Sequence, residues 1–158
     1  WEPQVQQLIT QFKFRYKAEL APLLANQLAA HLRLCYREQP LPDCVVAVPM
    51  TQQAWRKRGF HQTALLARHV SVALELPYIA GGLRKIRAVP MQHMASKALR
   101  WENSRGSQLA LQDFSGCTVA VVDDVLSTGA TMMAAADALY KKGARAVDAW
   151  AVVYNQHD

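Results

Sequence analysis

Two adjacent carboxylates, Asp123 and Asp124, follow the apolar run Val119-Ala120-Val121-Val122 and precede Val125, Leu126, Ser127, Thr128, Gly129, Ala130 and Thr131. A continuous β-branched run reads as a strand buried on both faces, and such a strand delivers its last residues to the crevice at its carboxyl end. The strand thus ends in the paired carboxylates, where ligands bind. Beyond them Ser127, Thr128 and Thr131 bring hydroxyls, and Gly129 lets backbone approach a ligand. A helix from about Thr131 then turns its positive end and free amides inward. The result is an anion cradle facing two carboxylates. A sugar phosphate satisfies both halves, its phosphate taking amides and hydroxyls while its ribose hydroxyls donate to the carboxylates, with Mg²⁺ nearby. The same residues also read as a Walker-B-like pair, or as a solvated turn with Asp124 capping the helix. No Gly-x-x-x-x-Gly-Lys-Ser/Thr segment occurs, so a nucleotide triphosphatase would lack its phosphate loop.

A second group of chemically useful residues follows another strand. After the Pro40-Leu41-Pro42 breaker, Asp43 to Pro49 reads as a short buried strand stopped by proline. The loop from Met50 carries Arg56, Lys57 and Arg58, then Gly59-Phe60-His61-Gln62. In a parallel sheet the loops after Val48 and Val122 open on one edge, which brings Arg56 and Arg58 towards the carboxylates. There their guanidinium groups would neutralise a second anionic group, such as a diphosphate, and Gly59 lets backbone amides turn inward. The alternative is a cation cluster that only solubilises a loop. His31, His69, His93 and His157 show no metal-ligand spacing.

The elements that must hold these groups are legible from periodicity. Val5, Leu8, Ile9 and Phe12 mark one helix, and Leu20, Leu23, Leu24, Leu28 and Leu32 a second. Between them Lys13, Arg15 and Lys17 interleave with Phe14 and Tyr16, a pattern that suits a solvated helix end or a nucleic-acid contact. Leu65, Leu66, Val70 and Leu74 mark a further helix, Leu83 to Ile86 a short strand, and Ala95 to Asn103 a short helix. Met132 to Lys142 is the helix after the carboxylate strand, and Ala146 to Tyr154 a final strand, completing a βαβ unit. The expected fold is α/β with a mainly parallel sheet.

Composition bounds the rest. The 158 residues are 51% hydrophobic and 19% charged, which fits one domain with a proper core. The formal charge of +6 suits an anionic ligand or a nucleic acid equally. Cys35, Cys44 and Cys117 include no Cys-x-x-Cys, so neither a disulfide framework nor zinc is expected, and each reads as a small buried hydrophobe in a reducing cytoplasm. No signal peptide and no apolar run of membrane-spanning length occurs. A first residue of Trp1 rather than Met leads us to expect that something upstream has been trimmed.

The stretch from Val119 to Thr131 resembles the phosphoribosyl pyrophosphate (PRPP) motif of type I phosphoribosyltransferases. Taken with Phe12-Lys13-Phe14, Val48-Pro49-Met50, Arg58-Gly59-Phe60-His61-Gln62, Arg87, Gln92, Arg100 and Asn103, nearly the whole chain resembles the ComF/GntX family of competence-related phosphoribosyltransferase-like proteins. His61 stands where that family usually has Asn, and the family's N-terminal zinc ribbon is not in this sequence. The resemblance implies a single type I phosphoribosyltransferase (Rossmann-like) domain over 1–158, with N-terminal helices and hood at about 1–42 and 84–114 and core at about 43–83 and 115–158. It implies PRPP or a ribose-5-phosphate-type ligand with Mg²⁺, Asp123 and Asp124 as catalytic groups, Val125 to Thr131 on the phosphate, and Arg56, Arg58 and Gly59 on the diphosphate. Arg87, Gln92, Arg100 and Asn103 either line the acceptor side or form a solvated face. Three functions follow: a transferase of unknown acceptor, a PRPP-binding regulator without turnover, and an accessory protein of DNA uptake that binds single-stranded DNA or a competence helicase.

Overall fold

The computed structural model describes residues 3–14, 17–86 and 106–154. In chain order its elements are α1 (Pro3–Phe14), a 3-10 turn (Ala18–Leu20), α2 (Ala21–Cys35), β1 (Cys44–Ala47), α3 (Gln52–Arg58) and α4 (Gln62–Leu74). There follow β2 (Leu83–Lys85), β3 (Gln108–Ala110), β4 (Thr118–Leu126), α5 (Ala130–Tyr140) and β5 (Ala146–Tyr154). The sheet runs β1-β4-β5, all parallel, and Tyr78 bridges to Val45 on the other edge of β1.

Parallel strands must be covered on both faces, and the residues of β1 and β4 alternate accordingly. Val45, Ala120 and Val122 join Trp150 and Val153 in a core beneath α2 and α4. Cys44, Val46, Val48, Val119 and Val121 face α5 and Phe114. Full burial of each of these valines contributes about 1.5–3 kcal/mol. On α2, Pro22 sits in the first turn, where its missing amide costs nothing, and Ala21, Leu24, Ala25, Leu28, Ala29 and Leu32 form its buried stripe. This helix packs on α4 and β5 as part of the core layer. β2 and β3 pair antiparallel, Leu83 with Ala110, at the two ends of the stretch assigned to the hood.

Four expectations need correction. β4 does not end at the carboxylates: it runs on to Leu126, because β5 continues beside it through Val125↔Val153 and Leu126↔Tyr154. The basic segment after Met50 is not a loop but α3, which Thr51 caps by accepting the Ala54 amide at 3.2 Å and Gly59 closes. α5 ends at Tyr140, two residues early. Cys35 is exposed, since the buried stripe of α2 stops at Leu32, and its sulfur lies 3.4 Å from His31 Nε2. Cys44 does match its expectation: burial, with neighbouring Cys117 adding to it, pushes its thiol up to about 11, leaving it an inert hydrophobe.

A polar tie locks α2 to β5. The Tyr36 hydroxyl donates to Asp148 Oδ2 at 2.5 Å and accepts from Trp150 Nε1 at 3.0 Å, the two rings meeting edge-on at 5.9 Å. Burial and then the Asp148 bond raise this phenol to about 12. Tyr36→Phe leaves both partners short of a bond and is expected to cost about 1–3 kcal/mol, read as a lower urea midpoint with unchanged slope.

Candidate functional site

The β1 and β4 ends meet at one edge of the sheet. Ala47 pairs with Val122, and the Val48 amide donates to the Val122 carbonyl at 2.9 Å, so the chain leaving β1 starts level with Asp123. Asp124 is only 5% exposed, whereas Asp123 is half-buried. A carboxylate inside a protein is costly without hydrogen bonds. Here Asp123 Oδ1 accepts the Asp124 amide and Asp124 Oδ1 accepts the Val125 amide, each at 2.8 Å. As neighbours on a strand, the two side chains leave it towards opposite faces.

Beyond Leu126 the chain turns through Ser127 and Thr128 to Gly129, which holds φ +76. An L side chain in this left-handed region is strained, and glycine is not. Gly129 also occupies the capping position of α5 and so brings no side chain to engage the first-turn amides. Thr128 Oγ1 lies 3.5 Å from the Ala130 amide, Ser127 and Thr131 are exposed, and Ala130 is buried. The result is a helix N-terminus that its own capping residue leaves without a side-chain bond, following a buried carboxylate in the chain. Gln108 of β3 donates through Nε2 to the Thr131 carbonyl at 3.0 Å, while its buried Oε1 has no partner among the described residues. Sequence reasoning missed Gln108, whose only signal is a polar residue at the start of a three-residue strand.

The second predicted group is placed in part. Arg56 is exposed on α3, Arg58 is the last residue of that helix, and Gly59 follows with φ +79. Arg87, Gln92, Arg100 and Asn103 lie outside the described residues.

His61 turns out to be a structural anchor at this edge. It caps α4, with the Ala64 amide 3.1 Å from Nδ1, while the Met50 amide donates to Nε2 at 3.2 Å. A neutral imidazole has one accepting nitrogen and a protonated one has none, so both amides together oppose its charging. The Thr63 hydroxyl donates to the Val48 carbonyl at 2.8 Å, and its oxygen lies 3.0 Å from Nδ1. Burial lowers the His61 pKa below its usual value. Below about pH 6.5 the unfolded chain therefore gains a proton that the folded chain refuses, and stability falls as pH drops towards the folded pKa. His61→Asn is expected to flatten that acid-side slope, in urea midpoints taken from pH 7.5 down to about 5.

A family model described as the phosphoribosyl transferase domain matches residues 57–158. The "DNA utilization protein YhgH" of Escherichia coli is 32% identical over 152 residues, 95% of this chain and 67% of the relative. The "Competence protein F" of Haemophilus influenzae is 27% identical over 148 residues, covering 90% of this chain and 65% of that one. Among solved structures, the glutamine PRPP amidotransferase of B. subtilis superposes with TM-score 0.56 at 23% identity over 85% of this chain. A Trypanosoma cruzi hypoxanthine phosphoribosyl transferase does so with TM-score 0.53 at 11% identity, over 89% of this chain and 76% of the other. The chain spans only 26% of the amidotransferase, and with both identities below 25% these superpositions establish the fold alone.

Proposed function

The chain belongs to the phosphoribosyl transferase domain family, in its ComF/GntX branch, and we propose from that premise that its site binds PRPP or a related ribose phosphate. The observation that carries the reading is the buried Asp124 set just before a helix N-terminus that opens on left-handed Gly129. In this reading the amides of Gly129 to Thr131 and the Ser127 and Thr128 hydroxyls take the 5-phosphate. The carboxylates of Asp123 and Asp124 accept from the ribose hydroxyls. The segment from Val48 to Gly59, with Arg56 and Arg58, receives the diphosphate.

If an acceptor attacks, its lone pair forms a bond to the anomeric carbon, the bond from that carbon to the diphosphate oxygen breaks, and the acceptor sheds its proton. Positive charge grows on the ribose ring in between, and fixed carboxylates stabilise it. Asp123 and Asp124 are oxygen donors of the kind Mg²⁺ takes, and when bound it would offset the ligand's negative charge. Among the described residues no three His, Cys, Asp or Glu form a metal cage, so the ligand's own phosphates would have to complete its shell. Calorimetry with PRPP and Mg²⁺ tests the pocket, and absence of binding at millimolar ligand would sink the reading. Diphosphate release with a panel of bases then separates a transferase from a regulator without turnover.

A second reading adds a nucleic-acid role, in line with the names of the relatives. Its observation is Trp55, 53% exposed on α3 next to exposed Arg56, an aromatic face beside a cation of the kind single-stranded DNA stacks on. Such binding must weaken steeply with salt, and a salt-insensitive affinity would count against it. A competence helicase is the protein partner this reading would take. No helix among the described residues is long and apolar enough to cross a membrane.

A further inference from the structure

Phe60, His61, Gln62 and Thr63 are consecutive, and their side chains reach two segments far apart in the chain. Phe60 meets the Phe12 ring edge-on at 6.2 Å, and buried Gln62 donates through Nε2 to the Phe12 carbonyl at 2.9 Å. His61 and Thr63 hold Met50 and Val48, as described above. Two of the four side chains thus grip the end of α1, and the other two grip the segment leaving β1. The last carbonyls of a helix have no partner within it, so Gln62 supplies α1 with a bond it cannot make for itself. Gln62 is also the first residue of α4, a single helix of thirteen residues.

We infer that the end of α1 and the Val48–Thr51 segment form one cooperative unit, with Gln62 as the positioning residue that couples them. Tightening one tightens the other, and linkage makes the effect reciprocal. On the ribose phosphate reading of the site, on which this part rests, a diphosphate held by the segment leaving β1 also fixes α1. The end of α1 at Phe12 is then secured when ligand is present. A pocket of this kind reports its occupancy on the outer surface of α1, with or without turnover.

Amide hydrogen exchange tests the coupling in both directions. Gln62→Met keeps length and volume but removes the donor, and Thr63→Val removes the hydroxyl that holds Val48. In the ligand-free protein, Gln62→Met is expected to speed exchange at Met50 about tenfold, the loss of one hydrogen bond felt at a distance. Thr63→Val is expected to speed exchange over Leu8 to Phe12, although its hydroxyl bonds only Val48 and His61 among the described residues. If each variant alters exchange only in the segment it touches, the unit does not exist. With PRPP and Mg²⁺, the wild type should gain protection in both segments, and Gln62→Met should gain it at Met50 alone. Protection at Met50 without any at α1 in the wild type overturns the coupling and leaves the binding reading intact. No protection anywhere overturns the binding reading, and the ligand-free pair of variants then decides the coupling.

Discussion

Asp124→Asn is expected to weaken PRPP binding by about 10- to 100-fold, the worth of a hydrogen bond to a charged group, at little cost in stability. The substitution keeps the shape of a side chain that is only 5% exposed, so no cavity opens. It changes what the side chain offers. The carboxylate accepts the Val125 amide through Oδ1. An amide can still do so with its single oxygen, but its nitrogen then stands where a ribose hydroxyl would donate, and it donates too. The negative charge that opposes positive charge on the ring is also gone. Turnover, where it occurs, should therefore fall further than affinity, by about another 10²-fold. Asp123→Asn should show the smaller loss, because that carboxylate is half-buried and better screened by water. Calorimetry with PRPP and Mg²⁺ on the three proteins, with thermal midpoints as a control on folding, reads both effects. Equal affinity in wild type and Asp124→Asn would remove these carboxylates from the site.

The ordering of those two effects could not be read from the sequence, which shows both aspartates but not how far each is buried. What periodicity exposes is what one short segment determines alone. The run from Val119 to Val122 could only be a strand covered on two sides, and the two cores that flank it bear this out. α3 was hidden by its charge, since Arg56-Lys57-Arg58 drew attention away from Thr51 and Gly59, whose capping geometry makes the helix. β4 looked shorter than it is because its last residues are held by pairing with β5, and pairing is invisible to a single segment. The same holds for Phe60 to Thr63. Their partners lie 11 to 50 residues away, so the motif was legible only as a resemblance and its action as a clamp only in three dimensions.

Phe12→Ala is expected to be the most damaging of the proposed substitutions to the fold, at about 3–5 kcal/mol. Phe12 is fully buried and belongs to the core under α2 and α4. Truncation loses the transfer energy of the ring, leaves a cavity, and removes the edge-on partner of Phe60. A domain of this size has about 5–15 kcal/mol in all, so the variant should sit near the edge of folding. How the loss appears distinguishes two physical situations. If α1 unfolds only with the rest, the urea midpoint drops and the slope stays constant. If α1 can detach alone, the measured loss is capped at the energy of docking it, and the slope falls because less surface remains to be exposed. The first outcome is the one the clamp predicts, since Phe12 is tied through Gln62 and Phe60 to the same four residues that hold Met50 and Val48. Phe12→Leu, which fills most of the space, should cost less than half as much and keep the slope of the wild type. A Phe12→Ala protein whose loss is capped and whose slope falls would show α1 detaching by itself, and would leave the Val48–Thr51 segment uncoupled from it.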